Sequence, residues 1–397
     1  MNVPTKVIVS RAVLALFLGL VFFTPLMFNN ATAEVYEFPK MIFVYILGAS
    51  LIATWLVGRL FWGGPKLILP DWEVAVLLGV TILSAIFSSH FYTSVWGYYS
   101  RFNDGLVSWL VFFGLYFVGR NFLNEKRLEM IKDLVCLASL PVSLYGIFQV
   151  FSTSRVFSTL GQANWLGAYL VFILPLVLER VFGSKDNLKR NFWLAVGVSG
   201  LVCLWFTHSL SAVAGILLAA LFLSYQLRGK FGQRLLVVTP VIIACALAVF
   251  LLGSPFFKSR LSDAVLFSRE PGSYNISDPG LIRAGLWRGS LKMSLSSAKN
   301  LFLGTGPETF PYQYPYFRES GLNYSSEWDF IMNKPHNYYL EILTETGLPA
   351  LILYLLVMLK TLKKKNIFLA AGYLGFYVTN IFGWPTVTTS LIFWLFL

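Results

Sequence analysis

The chain has 397 residues, 56% hydrophobic and 17% aromatic, and only 13% are charged. A soluble globular domain carries about 25% charged residues, so the composition excludes one and points to a polytopic membrane protein. The net charge of +12 is not the footprint of a nucleic-acid binder, because the bases lie in short loops between apolar runs long enough, at roughly 20 residues, to cross a bilayer.

In chain order, the apolar runs predict about twelve spans. They lie near 9–29, 40–62, 72–89, 104–122, 130–151, 164–183, 191–206, 209–227, 234–253, 345–361, 366–382 and 385–397. Lys6 and Arg11 before the first run imitate a signal peptide, but no convincing small-residue cleavage site follows, and the segment reads as an uncleaved first helix. Cys136, Cys203 and Cys245 fall inside spans and show no disulfide or metal spacing.

The loops alternate in charge. Arg59 and Lys66 are followed in alternate loops by Arg120 to Lys132, Arg180 to Arg190, Arg228 to Arg234 and Lys360 to Lys365. With Lys6 and Arg11, roughly nineteen of the 31 Lys and Arg lie on this side. The opposite short loops hold only Lys40, Arg101 and Arg155. This asymmetry predicts both termini inside and the sparse loops outside, which in a bacterium is the periplasmic face of the cytoplasmic membrane. The expected organisation is one integrated membrane domain: N-terminal helices over 1–253, a large outer loop with short helices over 254–336, and C-terminal helices over 337–397. Polar, aromatic and glycine-bearing segments gather outside, at 94–105, 152–164, 207–211, 254–336 and 381–386. A protein with its chemistry on one face has this pattern.

Within the outer loop, Ser277-Asp278-Pro279 reads as a helix start. The helix that follows, to about 298, puts Arg283 and Trp287 four residues apart on one face, with Arg288 and Lys292 as a second pair at that spacing. Gly304-Thr305-Gly306-Pro307 is a tight turn, either plain or with backbone N–H groups offered to an anion. Arginine suits phosphate because its planar fork donates two hydrogen bonds. An arginine-bearing loop beside a membrane therefore suits a substrate with a lipid tail and a diphosphate head. Arg260, Arg269 and Arg318 are read as contacts to lipid phosphates or nearby acids.

His336, one of 3 histidines, stands in Lys334-Pro335-His336-Asn337. Pro335 marks a boundary, and a helical pattern follows, with Glu341 and Glu345 one turn apart. His336 is thus expected at a helix N-terminus facing water, where a polar cap is the plain alternative. No Asp-x-Asp, Walker loop, Cys/His cluster or Gly-x-Ser-x-Gly motif occurs, so no metal or cofactor is indicated.

Four segments together resemble the O-antigen ligase / O-antigen polymerase superfamily. They are Tyr98-Tyr99-Ser100-Arg101-Phe102-Asn103-Asp104-Gly105-Leu106; Gly161-Gln162-Ala163-Asn164-Trp165-Leu166-Gly167-Ala168; Arg283-x-x-x-Trp287 with Gly304-Thr305-Gly306; and His336-Asn337 with Leu340, Glu345 and Gly347. The resemblance implies an all-α GT-C-like membrane bundle with a large periplasmic loop. It also implies metal-independent transfer of a glycan from an undecaprenyl-diphosphate carrier to lipid A-core, to another glycan or to a protein. In the family's ligases two arginines and a histidine are essential. His336 corresponds to the histidine and Arg283 to one arginine. The other arginine follows a Thr-x-Ser segment, but here the chain reads Thr207-His208-Ser209-Leu210, which leaves Arg101, Arg155 or His208 to supply the charge.

On this basis His336 is the expected base for an inverting displacement, with Glu341 or Glu345 orienting its ring, and Arg283 is expected on the diphosphate. Arg101, Arg155, Arg288, Trp287, Asn337, Gly304 and Gly306 are the expected substrate contacts. A protein O-oligosaccharyltransferase of the same superfamily, a transporter or flippase of lipid-linked glycans, and a non-catalytic carrier-lipid partner are the rival readings. The scarcity of charge inside the predicted spans counts against transport.

Overall fold

The computed structural model describes residues 3–231 and 279–397. The expected span 234–253 with Cys245, the loop through 278 with Arg260 and Arg269, and the proposed helix start at Ser277-Asp278 lie outside these residues. The described residues form α-helices and short 3-10 turns, with no strand among them. In lipid, a helix satisfies every backbone N–H and C=O within its own segment, so apolar runs of this length fold as helices.

The helices are α1 (Val3–Phe23), α2 (Glu37–Trp62), α3 (Trp72–Ile86), α4 (Phe91–Trp96), α5 (Leu106–Phe122), α6 (Glu125–Phe148), α7 (Ala163–Gly183), α8 (Asn187–Phe206) and α9 (Leu210–Phe231), then α10 (Pro279–Leu295), α11 (Ala298–Leu303), α12 (Phe310–Gln313), α13 (Tyr338–Leu362), α14 (Ile367–Thr379) and α15 (Val387–Phe396). By length and composition, the helices at Lys6–Leu26, Glu37–Trp62, Glu125–Phe151, Ala163–Gly183, Leu210–Gly229 and Tyr338–Leu362 are able to cross a membrane. Helices α3, α5, α14 and α15 are apolar but shorter. Eleven of the twelve expected spans fall on described helices, namely these six candidates, the four shorter helices and α8; the twelfth, 234–253, lies outside the described residues.

Helix α7 is the centre of the bundle. Its residues from Leu166 to Ile173 are buried on all sides, as expected for a helix apolar all round. It packs against α8, α9 and α14. Small residues bring these backbones together: a Cβ added at Gly215 would lie 2.7 Å from the Gly375 carbonyl, and one at Gly372 would lie 2.4 Å from the Phe172 carbonyl. Close approach through small residues is how helices associate where lipid offers no hydrophobic drive.

Hydrogen bonds across the non-helical segments gather one end of the bundle. Thr159 bonds the Pro25 carbonyl, and Lys40 bonds the carbonyls of Tyr36 and Thr159. Val387 N–H donates to Glu37, Ser89 N–H to the Thr305 carbonyl, and Tyr338 N–H to the Asn380 carbonyl. Lys40, expected in a loop, is buried in the first turn of α2, held by these carbonyls. The other end carries ion pairs of a different kind: Asp71 with Arg120 and Lys360, and Arg180 with Glu129 and Asp133.

Helix α13 is broken where it matters. Gly347 is non-helical, with φ 87 and ψ 173, and Pro349 follows. The break frees carbonyls of the preceding turn, and a freed carbonyl inside a bundle needs a donor. Thr305 N–H donates to the Thr344 carbonyl at 3.0 Å and Gly306 N–H to the Glu345 carbonyl at 2.9 Å. Ser84 Oγ adds a second bond to the Glu345 carbonyl at 2.7 Å. The Gly304-x-Gly306 turn is thereby docked onto the break in α13.

Candidate functional site

A cavity of about 680 Å³ opens at the gathered end of the bundle. Arg155, His208, Leu210, Arg283 and His336 line it, with Trp165 and Trp384. Of the residues expected to carry chemistry, the fold thus brings Arg155, Arg283 and His336 to one space, although they lie far apart in the chain.

His336 is not the helix cap. Asn337 is, with its side-chain oxygen accepting from Tyr339 N–H at 3.0 Å and Leu340 N–H at 3.1 Å. An asparagine cap satisfies N–H groups that the first helical turn leaves over. Asn337 is itself buried, so its oxygen is engaged in α13 rather than turned to the cavity. His336 precedes the cap with φ 54, in the left-handed region. Its imidazole lies 5.1 Å from the Trp384 ring, centroid to centroid. Burial, then the positive charges of Arg283, Arg101 and Lys334, push its pKa down to about 4. The imidazole is therefore neutral at pH 7, because of desolvation and neighbouring cations rather than because of a helix dipole.

Glu341 and Glu345 do not orient the imidazole. Glu341 pairs with the Lys334 ammonium. Glu345 accepts from Glu308 N–H at 2.8 Å and Phe310 N–H at 3.2 Å. One group that holds the His336 segment from outside its own helix is Trp287, whose indole N–H donates to the Pro335 carbonyl at 3.1 Å. Arg283 and Trp287 share one face of α10, and that face is turned to the His336 segment.

Arg101 lies over two indoles, 5.3 Å from the Trp165 centroid and 5.5 Å from that of Trp384. Both rings line the cavity. Arg155 donates to the Thr207 carbonyl at 3.1 Å and to Asn164 at 3.4 Å. It therefore stands beside the 207–211 segment, where Leu210 takes the place of the expected arginine. Burial and the Arg155 charge lower the pKa of His208.

Two expectations find other surroundings. Arg288 is on the loop surface and, together with Lys292, pairs with Glu319 at 2.7 Å and 3.0 Å. The N–H groups of the Gly304-x-Gly306 turn are donated to Asn300 and α13, which leaves none of those three for an anion. Arg318 bonds the carbonyls of Leu322, Glu327 and Trp328 and so ties its own loop together.

Three carboxyl groups that no local spacing connects also meet here. The oxygens of Asp104, Glu308 and Glu341 lie within 4.8 Å of one another. The Lys334 ammonium contacts all three, at 3.3 Å from Asp104 and 2.5 Å from Glu308. Such a set of acids is able to hold a cation, and Lys334 supplies one from the chain itself. Sequence reading passed over Lys334 and Trp384. The signal available for Lys334 was a charged residue two places before His336, and for Trp384 a lone indole in a short outer segment.

Residues 194–355 match a family model described as O-antigen ligase. The matched stretch contains His208, Leu210, Arg283 and His336, and Arg101 and Arg155 precede it. No curated protein and no solved structure matches the chain. The family match supports the O-antigen ligase / O-antigen polymerase superfamily that the four motifs resemble.

Proposed function

We propose that the chain, whose residues 194–355 match a family model described as O-antigen ligase, is a membrane glycosyltransferase that moves a glycan from an undecaprenyl-diphosphate carrier to an acceptor hydroxyl. The observation that carries this reading is the shared cavity of Arg155, Arg283 and His336. In the proposed reaction the diphosphate enters between Arg283 and Arg155, with Arg101 behind the Trp165 and Trp384 rings. Preorganised cations stabilise the charge that develops on the leaving diphosphate. Arg155 takes the place of the arginine that Leu210 replaces, since its guanidinium is fixed to the Thr207 carbonyl.

His336 removes the proton from the acceptor oxygen as that oxygen attacks the anomeric carbon, and the carbon–oxygen bond to the diphosphate breaks. Direct displacement inverts the carbon. The neutral imidazole is the form a base requires. Its low proton affinity is set partly by the nearby cations, so the arriving diphosphate offsets that charge and strengthens the base. The chemistry faces the periplasm, with both termini cytoplasmic, as the distribution of Lys and Arg supports. No metal is required in this scheme.

Transfer in proteoliposomes tests the reading, with a tagged synthetic undecaprenyl-diphosphate glycan as donor. Lipid A-core, a second carrier-linked glycan and a pilin-like protein serve as acceptors. Product formed with chelator present, and lost in His336→Ala and Arg283→Ala, is the expected result. Parental transfer by a correctly inserted His336→Ala protein overturns it. The acceptor used separates ligase, polymerase and protein O-oligosaccharyltransferase. Flux of the donor across the bilayer without transfer identifies a flippase.

A further inference from the structure

Lys334 has no role in the scheme above, yet it is buried and paired with three carboxyl groups. Its side chain is 2% exposed. Its ammonium is gripped by carboxyl groups from three separate segments. Asp104 belongs to the loop that carries Arg101. Glu308 belongs to the turn docked on the break in α13. Glu341 lies in the first turn of α13, just after His336.

The backbone at these positions is unusual as well. Asp104, Glu308 and His336 have φ of 60, 59 and 54, and Phe102 has 53. A non-glycine residue persists in the left-handed region only where its surroundings over-determine it. Here two of the residues in that region are direct partners of Lys334, and a third follows it by two positions. Burial lowers the lysine's hold on its proton, but Glu308, Glu341 and Asp104 more than offset this and hold its pKa well above the ordinary value. A buried charge cluster of this kind is costly to desolvate, and removing one partner leaves the other charges uncompensated.

We infer that Lys334 is a positioning residue, an internal cation that ties the Arg101 loop, the Gly304-x-Gly306 turn and α13 together and so sets His336 against Arg101. This rests on the reading of His336 as the base. The lysine acts from behind the site: the segment Lys334-Pro335-His336 is pinned by the ammonium at one end and by the Asn337 cap at the other, with the Trp287 bond between them. Loss of the ammonium releases the base and the guanidinium from a common frame while leaving both side chains present.

The test measures kcat and donor KM for the full chain in proteoliposomes, with the tagged synthetic donor and whichever acceptor the parent uses. Lys334→Ala, the charge-reduced pair Lys334→Met with Glu341→Gln, and His336→Ala are compared with the parent, and thermal midpoints report folding. A misplacement of about 1 Å costs roughly 100-fold in rate, so kcat is expected to fall by about that factor with donor KM within about threefold. Ethylammonium, which refills the vacated position with an N–H donor cation, is expected to restore at least about tenfold in Lys334→Ala. Tetramethylammonium, which has no N–H, restores nothing. The charge-reduced pair is read if Lys334→Ala does not fold. A folded variant with kcat within about threefold of the parent, or a donor KM that rises in step with the loss of kcat, overturns the inference. Full transfer by His336→Ala overturns the base assignment instead, so the two failures are told apart.

Discussion

His336 and Trp384 lie 5.1 Å apart, ring centroid to ring centroid, at the wall of the cavity. The same indole is 5.5 Å from the Arg101 guanidinium and 5.9 Å from the Trp165 ring. One aromatic side chain thus stands between the His336 imidazole and the Arg101 guanidinium. A cation over an indole is worth about 0.5–2 kcal/mol, which is roughly 2- to 30-fold in rate if the contact is maintained in the transition state. Trp384→Ala is expected to lose activity within that range, and Trp384→Phe less. Initial rates at saturating donor measure both.

The pH dependence follows from the cations around His336. Its pKa is lowered to about 4, so the acid limb of kcat/KM, which reports the free enzyme, is expected near that value. Arg101→Gln or Arg283→Gln removes one positive neighbour and is expected to move the limb up toward the ordinary histidine value of about 6.5. The same shift enters stability. Between about 6.5 and about 4 the unfolded chain binds a proton that the folded chain does not, so stability falls as pH falls through that window. Between pH 7 and pH 4 the thermal midpoint of the parent is expected to fall further than that of His336→Ala, which lacks the titrating group.

The arginines separate by surroundings. Arg283→Ala and Arg155→Ala each remove a cation from the cavity wall, and about 10²- to 10³-fold loss of kcat is the scale for removing one preorganised donor. Arg288 pairs with Glu319 at the surface, its side chain 62% exposed, and such pairs contribute about 0–1 kcal/mol. Arg288→Ala is expected to leave the transfer rate within about twofold. Parallel rate measurements on the three variants check the division.

The glycines of the docked turn are expected to act through folding. Gly304 has φ 69, and a Cβ there would lie 2.2 Å from the Glu345 carbonyl carbon; Gly347 has φ 87, and a Cβ there would lie 2.5 Å from the Phe302 carbonyl. Backbone of this kind costs a non-glycine residue about 1–3 kcal/mol before any clash. Gly304→Ala and Gly347→Ala are expected to lower the thermal midpoint and the yield of inserted protein. Glu345→Gln, which keeps one acceptor for the Glu308 and Phe310 N–H groups, is expected to be milder than Glu345→Ala. Midpoints in detergent rank them.

Much of the helical framework was legible from the apolar runs. The run at 164–183 became α7, and that at 40–62 became α2 with one earlier turn. Within α13 the reading was less complete. The expected span began at 345, whereas the helix starts at Tyr338 and breaks at Gly347. The helical pattern after Pro335 was legible, but the break at Gly347 and the burial of Glu341 and Glu345 were not, because they depend on partners elsewhere in the chain. The motif residues were visible one by one, but Asn337 as a cap, Trp287 as a donor to Pro335 and the docked glycine turn were not.

What the sequence determined by itself is that the chain is helical and membrane-embedded and that polar segments alternate with basic ones, since a backbone in lipid must satisfy its own hydrogen bonds and charge must stay near water. Only the tertiary structure decided that Arg155, Arg283 and His336 share one cavity and that Lys334 gathers Asp104, Glu308 and Glu341. Those meetings depend on how α7, α10, α13 and the loops between them pack, and local periodicity carries no record of which distant side chains a helix will face.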